Sequence, residues 1–156
     1  ALGSKGEVLE SSAFTDLSIG RRQVPEPLAA VLRRLDGWRQ VRAQSSRVDL
    51  EAEGWRIAGG QVAGFQLVNA YRRPLDASAA DGAATPLLQS VFSDGLAHVS
   101  VFIEPYDAQR HKQAMRSSLG ATHTVMSRRG DWWITVVGEV PMATALKFEA
   151  ALERRP

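Results

Sequence analysis

The chain has 156 residues, enough for one well-buried core or for one domain with part of another. Its hydrophobic fraction of 44% and charged fraction of 23% are ordinary for a globular protein and exclude disorder throughout. The net charge is +2, and the basic residues include arginine pairs scattered at 21–22, 33–34, 72–73, 128–129 and 154–155. Because nucleic-acid binding proteins concentrate basic charge on one face, no nucleic-acid partner is predicted.

The chain contains no cysteine, which excludes disulfides, thiolate nucleophiles and cysteine-ligated zinc. No apolar run approaches the roughly 20 residues that a membrane-spanning helix needs. The sequence begins ALGSKGEV, without an initiating Met or a signal peptide, which is typical of a mature or trimmed piece of a longer protein.

The N-terminal half contains short, weakly periodic segments. The stretch KGEVLESSAFTDLSIG, in which apolar residues are broken by small polar ones, predicts one or two strands. The stretch VPEPLAAVLRRLDGW predicts a short helix, with apolar residues at 28, 31, 32 and 35 and a stop at Asp36-Gly37. Strands are then predicted at 38–42, 47–51 and 64–73, and the small residues of DASAADGAATP predict an exposed loop at 76–86.

Two apolar runs meet at Asp94-Gly95 in the stretch VFSDGLAHVSVFIEP. An Asp-Gly pair between alternating apolar residues is a strong hairpin signal, because the turn residues need positive φ. A two-residue turn here gives one apolar face that should meet the core, and it explains Asp94 without a catalytic role. The predicted pairs are Phe92 with Ala97, Ser90 with Val99, Leu88 with Val101, Val91 with His98 and Gln89 with Ser100.

A second hairpin is predicted over ATHTVMSRRGDWWITVVGEV, with its turn at Gly130. Because side chains alternate along a strand, Trp132 and Trp133 point to opposite faces. Only one of them can enter the core, and the other should lie at the sheet surface, under a helix or exposed.

The closing stretch VPMATALKFEAALERR predicts a helix that begins at Pro141 and carries Arg154 and Arg155 in its last turn. Its apolar positions recur at helical spacing, at Met142, Ala145, Phe148 and Leu152. The predicted fold class is therefore α+β, an antiparallel sheet with hairpins packed against a C-terminal helix.

A search for catalytic chemistry finds no nucleophile elbow, dinucleotide fingerprint, phosphate-binding loop or zinc-protease motif in the sequence. His98 and His123 fall on predicted strands, and His111 lies in the polar run YDAQRHKQAMRSS, predicted as a solvated helix or loop. The three histidines lack metal-ligand spacing. No catalytic residue, metal site or cofactor is predicted, and the chain is not expected to be an enzyme.

The tip of the second hairpin is the best candidate for a binding surface. Arg128 and Arg129 stand beside Trp132 and Trp133, and arginine and tryptophan are enriched in protein-binding hot spots. These four residues are predicted to bind a protein partner, whereas Asp94, Gly95 and Gly130 are predicted to be structural turn residues. The alternative is a solvated turn followed by structural tryptophans.

Three phrases together, FSDGL, SVFIE and ITVVGEVP, resemble the C-terminal domain of the RseB/MucB family of periplasmic regulators of the sigma-E envelope-stress response. The resemblance is close over 87–152 and looser over 38–74, and GEVLESSAFTDLSIG is similar to the closing strands of the family's larger, LolA-like β domain. It implies the end of that large domain at residues 1–22, a linker with a short helix at 23–37, and the small α+β domain at 38–156.

The resemblance also implies a function. Members of this family bind the periplasmic region of a membrane anti-sigma factor and protect it from proteolysis, which restrains the sigma-E response. Lipid or lipopolysaccharide signals act through the large domain, which is expected to be mostly missing from this chain. A periplasmic binding protein is therefore expected, with a homo-oligomer left open. The alternatives are a lipid or lipoprotein carrier or sensor module of the cell envelope and an envelope hydrolase with an unfamiliar site.

Overall fold

A computed structural model describes residues 1–20 except 4 and 18, residue 30, residues 45–74 except 60, 61 and 63, and residues 86–155. In chain order, the strands and the helix are β1 (Ser46–Arg47), β2 (Trp55–Ile57), β3 (Gln66–Pro74), β4 (Pro86–Ser93), β5 (His98–Pro105), β6 (Met115–Leu119), β7 (Thr122–Arg129), β8 (Trp132–Gly138), α1 (Met142–Ala151) and β9 (Leu152–Arg154). Among the described residues, seven strands form an antiparallel sheet in the order β1-β3-β4-β5-β8-β7-β6. A second sheet pairs β2 with β9.

The core lies between α1 and one face of the seven-stranded sheet. Alternate side chains of β4, β5 and β8 are buried on this face, as the period of a strand requires. From the helix, Phe148 inserts with its ring centroid 5.3 Å from that of Phe65 and 5.1 Å from that of Phe92. The predicted α+β class, with hairpins against a C-terminal helix, is confirmed. Among the described residues, no helix has the length and apolar content needed to cross a membrane.

The first hairpin has the predicted faces but a different register. Phe92 pairs with Val99, Ser90 with Val101 and Leu88 with Ile103, so each partner lies two residues later than predicted. The loop is longer because Asp94 Oδ1 accepts hydrogen bonds from the backbone N–H groups of Leu96 (2.9 Å) and Ala97 (2.8 Å). A side chain that bonds backbone two and three residues ahead builds a wider turn than the two-residue one. The positive φ predicted at Gly95 is confirmed, at 93°.

The end of the helix is also different from the prediction. The helix starts at Met142, one residue after the predicted start at Pro141, but Leu152 is extended, with φ −70° and ψ 124°. Arg154 therefore lies in β9 and Arg155 follows it, and neither is in a last helical turn. Pairing with β2 explains the change, because Arg155 N–H donates to the carbonyl oxygen of Gly54 at 2.8 Å and ladder bonds replace helical ones.

Besides β9, three short strands were missed or misplaced by the sequence analysis. β2 was not predicted, and β6 lies in the run predicted as a solvated helix or loop. The strand predicted at 47–51 is wrong beyond Arg47, because Asp49 Oδ1 accepts the N–H groups of Glu51 (2.7 Å) and Ala52 (3.2 Å) and turns the chain. The strand predicted at 64–73 is confirmed as β3, and the second hairpin as β7 and β8.

The N-terminal segment does not form the predicted strands within its described residues. It contains an isolated bridge between Leu2 and Val8. Its large apolar side chains lie in solvent, among them Phe14 at 86% exposure. The predicted strand at 38–42 and the loop at 76–86 up to residue 85 fall outside the described residues, as does the helix at 28–35 apart from residue 30.

Candidate functional site

The tip of the β7–β8 hairpin divides the four predicted partner-binding residues between two faces of the sheet. Arg128 pairs with Trp133 and Arg129 with Trp132 across the turn at Gly130, which has a φ of 60°. Because neighbouring residues alternate along each strand, the Arg129–Trp132 pair faces the helix and the Arg128–Trp133 pair faces away from it. The structure thus brings these residues together in two pairs rather than on a single surface.

On the outer face, Arg128 is exposed and held in one orientation. Its guanidinium carbon lies 3.8 Å from the centroid of the Tyr106 ring, and its Nε donates a hydrogen bond of 2.8 Å to the carbonyl oxygen of Gly130. Tyr106 is fixed in turn, because its backbone N–H donates to the carbonyl oxygen of Asp131 at 2.8 Å. Within the described residues, the two terminal nitrogens of Arg128 have no hydrogen-bond partner in the protein. A planar cation stacked on an aromatic face can bind a carboxylate through both of these nitrogens.

Trp133 lies beneath this surface and is only 5% exposed. His111 covers it, stacked with an interplanar angle of 9° and a centroid distance of 4.7 Å. The expectation that His111 is solvated is wrong, because this imidazole is 6% exposed and its Nδ1 accepts the backbone N–H of Asp107 at 2.9 Å. The loop 106–111 thus forms a cover that sequence periodicity could not reveal, since most of its residues are polar.

A buried carboxylate completes this cover. Glu104 Oε2 accepts from Arg110 Nη2 at 3.0 Å, and Glu104 Oε1 lies 3.4 Å from His111 Nε2. The charge of Glu104 is therefore compensated at the sheet surface, where an unpaired carboxylate would be strongly unfavourable. These contacts fix the loop and give the outer face a defined shape.

On the helix face, Arg129 and Trp132 are engaged within the protein. Arg129 Nη2 donates to the carbonyl oxygen of Glu149 at 2.6 Å and lies 3.3 Å from its Oε1. Trp132 packs edge to face on Trp55, with centroids 5.5 Å apart, and the Arg154 guanidinium lies 4.6 Å from its ring centroid. These contacts attach α1 and the small sheet to the hairpin, so both side chains have a structural role.

The Asp94 side chain lies in the turn of the first hairpin. The backbone N–H of Ala97, followed by that of Leu96, bonds to the Asp94 carboxylate and lowers its pKa below the ordinary value. Hydrogen bonds of this kind stabilise the charged form and create no reactive group. In the part of the chain that the structure describes, no group of three or more acidic or imidazole side chains is arranged to hold a metal ion.

Comparisons with known proteins agree with one another. A family model described as the MucB/RseB C-terminal domain matches residues 49–153. The sigma factor AlgU regulatory protein MucB of Pseudomonas aeruginosa is 33% identical over 159 residues, covering 99% of this chain and 46% of that protein.

Two solved structures are similar along 99% of the chain. The crystal structure of MucB in complex with MucA(peri) is 29% identical with a TM-score of 0.63, and this chain covers 51% of it. The complex structure of Pseudomonas aeruginosa MucA/MucB is 28% identical with a TM-score of 0.64, and this chain covers 49% of the matched chain. The chain thus spans about half the length of these relatives.

Proposed function

The chain belongs to the MucB/RseB C-terminal domain family, and on this premise we propose that it is a regulatory protein-binding module of the periplasm and not an enzyme. Its partner is the periplasmic region of a membrane anti-sigma factor, which it shields from proteolysis and thereby restrains a sigma-E response. The observation that carries this proposal is the likeness of 99% of the chain to MucB in its complex with MucA(peri).

Within this module, the outer face at Arg128 and Tyr106 is the contact surface that the geometry favours. The guanidinium of Arg128 is exposed and is oriented by the Tyr106 ring and the Gly130 carbonyl. Among the described residues, its terminal nitrogens have no hydrogen-bond partner. A side chain that is already ordered loses little conformational entropy when it binds a carboxylate. An acidic side chain of the partner, next to an apolar one that packs on Tyr106, fits this surface.

The other predicted binding residues act behind this surface. Trp133 supports Tyr106 and His111 from below, and Arg129 and Trp132 attach the helix and the small sheet. Their removal is expected to weaken the fold as well as binding. We therefore assign direct contact to Arg128 and a supporting role to Arg129, Trp132 and Trp133.

A lipid-carrier function has less support in the described residues. The groove of about 660 Å³ beside β1 and β3 contains the exposed apolar side chains Leu67 and Val68. An acyl-chain site is lined mainly by apolar groups, whereas this groove also has a charged lining. The charged residues along it are Arg47, Asp49, Glu51 and Arg56. The lipid or lipopolysaccharide signal of the family is accordingly proposed to act through the large domain.

The test is a calorimetric titration of the purified chain with the periplasmic region of MucA. The Arg128→Ala variant should bind with affinity reduced by about 2 kcal/mol, roughly 30-fold, as for a typical hot-spot arginine. The wild-type affinity should also fall as salt is raised, because the contact is partly ionic. The Arg128→Lys variant keeps the charge but not the planar stacking group, so its affinity should lie between those of the wild type and Arg128→Ala.

The matched control is Arg154→Ala, which removes another exposed arginine stacked on an aromatic ring, but on the helix face. This variant should bind with the wild-type affinity. The melting temperature of every variant is measured as well, so that a loss of affinity can be separated from a loss of folding. Equal losses in Arg128→Ala and Arg154→Ala would contradict the assignment of the contact to the outer face. Absence of any binding by the folded wild-type chain would overturn the function proposed for it.

A further inference from the structure

The groove beside β1 and β3 has two long walls and an apolar lining between them. Residues 47–51 form one wall and residues 67–70 the other, and the buried side chains of Ile57 and Phe92 complete the lining. The groove volume of about 660 Å³ lies within the range of about 300–1,000 Å³ that ligand sites occupy. Because each wall consists of consecutive residues, the groove is elongated and fits an extended chain better than a compact molecule.

An irregularity in β3 adds exposed apolar surface to this groove. The pairing of β3 with β4 shifts between Leu67 and Asn69, so Val68 is an extra residue without a partner on β4. A bulge of this kind re-aims side chains. Leu67 and Val68 would point to opposite faces of a regular strand, whereas here both line the groove, at 45% and 46% exposure. Two adjacent apolar side chains are thus available to an apolar group of a ligand.

The charged side chains along the groove differ in whether the protein itself engages them. Arg56 and Glu51 form ion pairs with residues in and next to β9, at 2.9 Å and 3.1 Å. Asp49 Oδ1 accepts the backbone N–H groups of the turn that follows it. Arg47 is exposed and has no ion pair among the described residues. The groove therefore presents one uncompensated positive charge, which favours a carboxylate.

We infer that this groove binds an extended acidic segment of a protein, which places a carboxylate on Arg47 and a nearby apolar side chain on Leu67 and Val68. An extended chain presents both groups from residues two apart, since every second side chain points the same way. The anti-sigma contact proposed above is assigned to Arg128 and Tyr106. The groove is a separate site, and the inference does not rest on that contact.

Fluorescence anisotropy with labelled peptides tests the role of the charge. In the first probe, valine and glutamate alternate at every second position and serine separates them, so both face the groove in an extended chain. This probe should bind the wild-type chain. Arg47→Glu should weaken its binding by about fivefold or more, because attraction becomes repulsion. A second probe, with lysine in place of glutamate, should bind Arg47→Glu better than the wild type.

The matched control for the charge is Lys112→Glu, which reverses another exposed cation outside the groove. It should leave the affinities for both probes at their wild-type values. Arg47 and Lys112 are exposed, so both variants should keep the wild-type melting temperature. Absence of binding by the first probe, or equal effects of the two charge reversals, would overturn the inference.

The apolar part of the site is tested with Val68→Thr, which keeps the branched shape and replaces a methyl group by a hydroxyl. It should weaken binding of the first probe by about threefold, whereas Leu96→Thr, at a position 95% exposed in the loop of the first hairpin, should not. Unchanged affinity in Val68→Thr would contradict the inference. Displacement of the probe by dodecyl maltoside would indicate an acyl-chain site instead, and displacement by the periplasmic region of MucA would show that the groove is not a separate site.

Discussion

The N-terminal segment and the 86–155 region have similar apolar residues and opposite structural outcomes. Phe14 is 86% exposed, whereas Phe148 is completely buried between a helix and a sheet. In the 86–155 region, the buried apolar residues of β4, β5 and β8 on the helix-facing side have cross-strand neighbours and a helix above them, whereas the N-terminal segment has one isolated bridge in its described residues. Apolar content therefore becomes a core only where periodic elements can pack against each other.

Substitution of the two phenylalanines should give the largest difference between the regions. Phe148→Ala should lower the free energy of unfolding by about 3–5 kcal/mol, because it leaves a cavity beside Phe65 and Phe92. Phe14→Ala should change it by less than about 0.5 kcal/mol, as for other exposed positions. Urea unfolding of both variants measures the two values. Similar losses in both would show that the N-terminal segment shares the core in solution.

The second prediction concerns the tryptophans of the second hairpin. Trp133→Ala should destabilise the fold by about 3 kcal/mol, since it removes the ring on which His111 stacks and leaves Glu104 less covered. Trp133→Phe should recover most of this loss because an aromatic surface remains. Chemical unfolding monitored by circular dichroism gives the comparison. If Trp133→Ala kept wild-type stability and lost only partner binding, the indole would be a contact residue instead.

Substitution of glycines with positive φ should give a smaller difference in the free energy of unfolding between the N-terminal segment and the 86–155 region. Gly95→Val should cost about 1–3 kcal/mol, because a β-branched residue resists the φ of 93° that the ordered loop imposes. Gly20→Val is the matched control, since Gly20 has a φ of 76° with nothing within 4 Å of its added Cβ. The described part of its segment lacks packing that would resist relaxation, so the free energy of unfolding should change little. Equal costs would indicate that both segments are equally constrained.

The smallest expected effect is the pH dependence at Asp94. Its folded pKa is lowered by the N–H groups of Ala97 and Leu96, so its contribution to stability is present above the ordinary carboxyl pKa and is lost as the pH falls through the lowered one. The difference in stability between wild type and Asp94→Ala should therefore be largest near neutral pH and narrow in acid. Thermal unfolding at a series of pH values measures it. A stability difference that does not change with pH would show that the ionised form of Asp94 does not stabilise the turn.

The sequence was sufficient for elements whose cause is local. Alternation predicted the faces of β4, β5 and β8, and Pro141 followed by helical spacing predicted the start of α1. The residues of the first turn were also identified, although the Asp94 side chain extends the loop and shifts the register by two residues. The turn propensities of Asp and Gly alone do not specify the hydrogen bonds that Asp94 Oδ1 accepts from Leu96 and Ala97.

Elements that depend on distant partners were not predictable. β9 continues directly from a helix, and only its pairing with β2 extends Leu152 and Arg154. At the candidate site, the sequence placed Arg128 and Trp133 correctly near one turn, but it did not indicate Tyr106 or the burial of His111. The loop that carries them is polar, and its position over Trp133 follows from ion pairs and stacking that have no periodic signature.

The small sheet determines how the domain would respond to tension. β2 and β9 are joined by pairs such as Arg56 with Glu153, 97 residues apart. At the corner where β2 begins and β9 ends, the Arg155 N–H donates to the carbonyl oxygen of Gly54. A force that pulls residues 54 and 155 apart acts on adjacent strand ends. It therefore breaks the residue pairs between β2 and β9 one after another, starting at this corner. Under such a force, the two-stranded sheet would therefore separate before the seven-stranded sheet is disrupted.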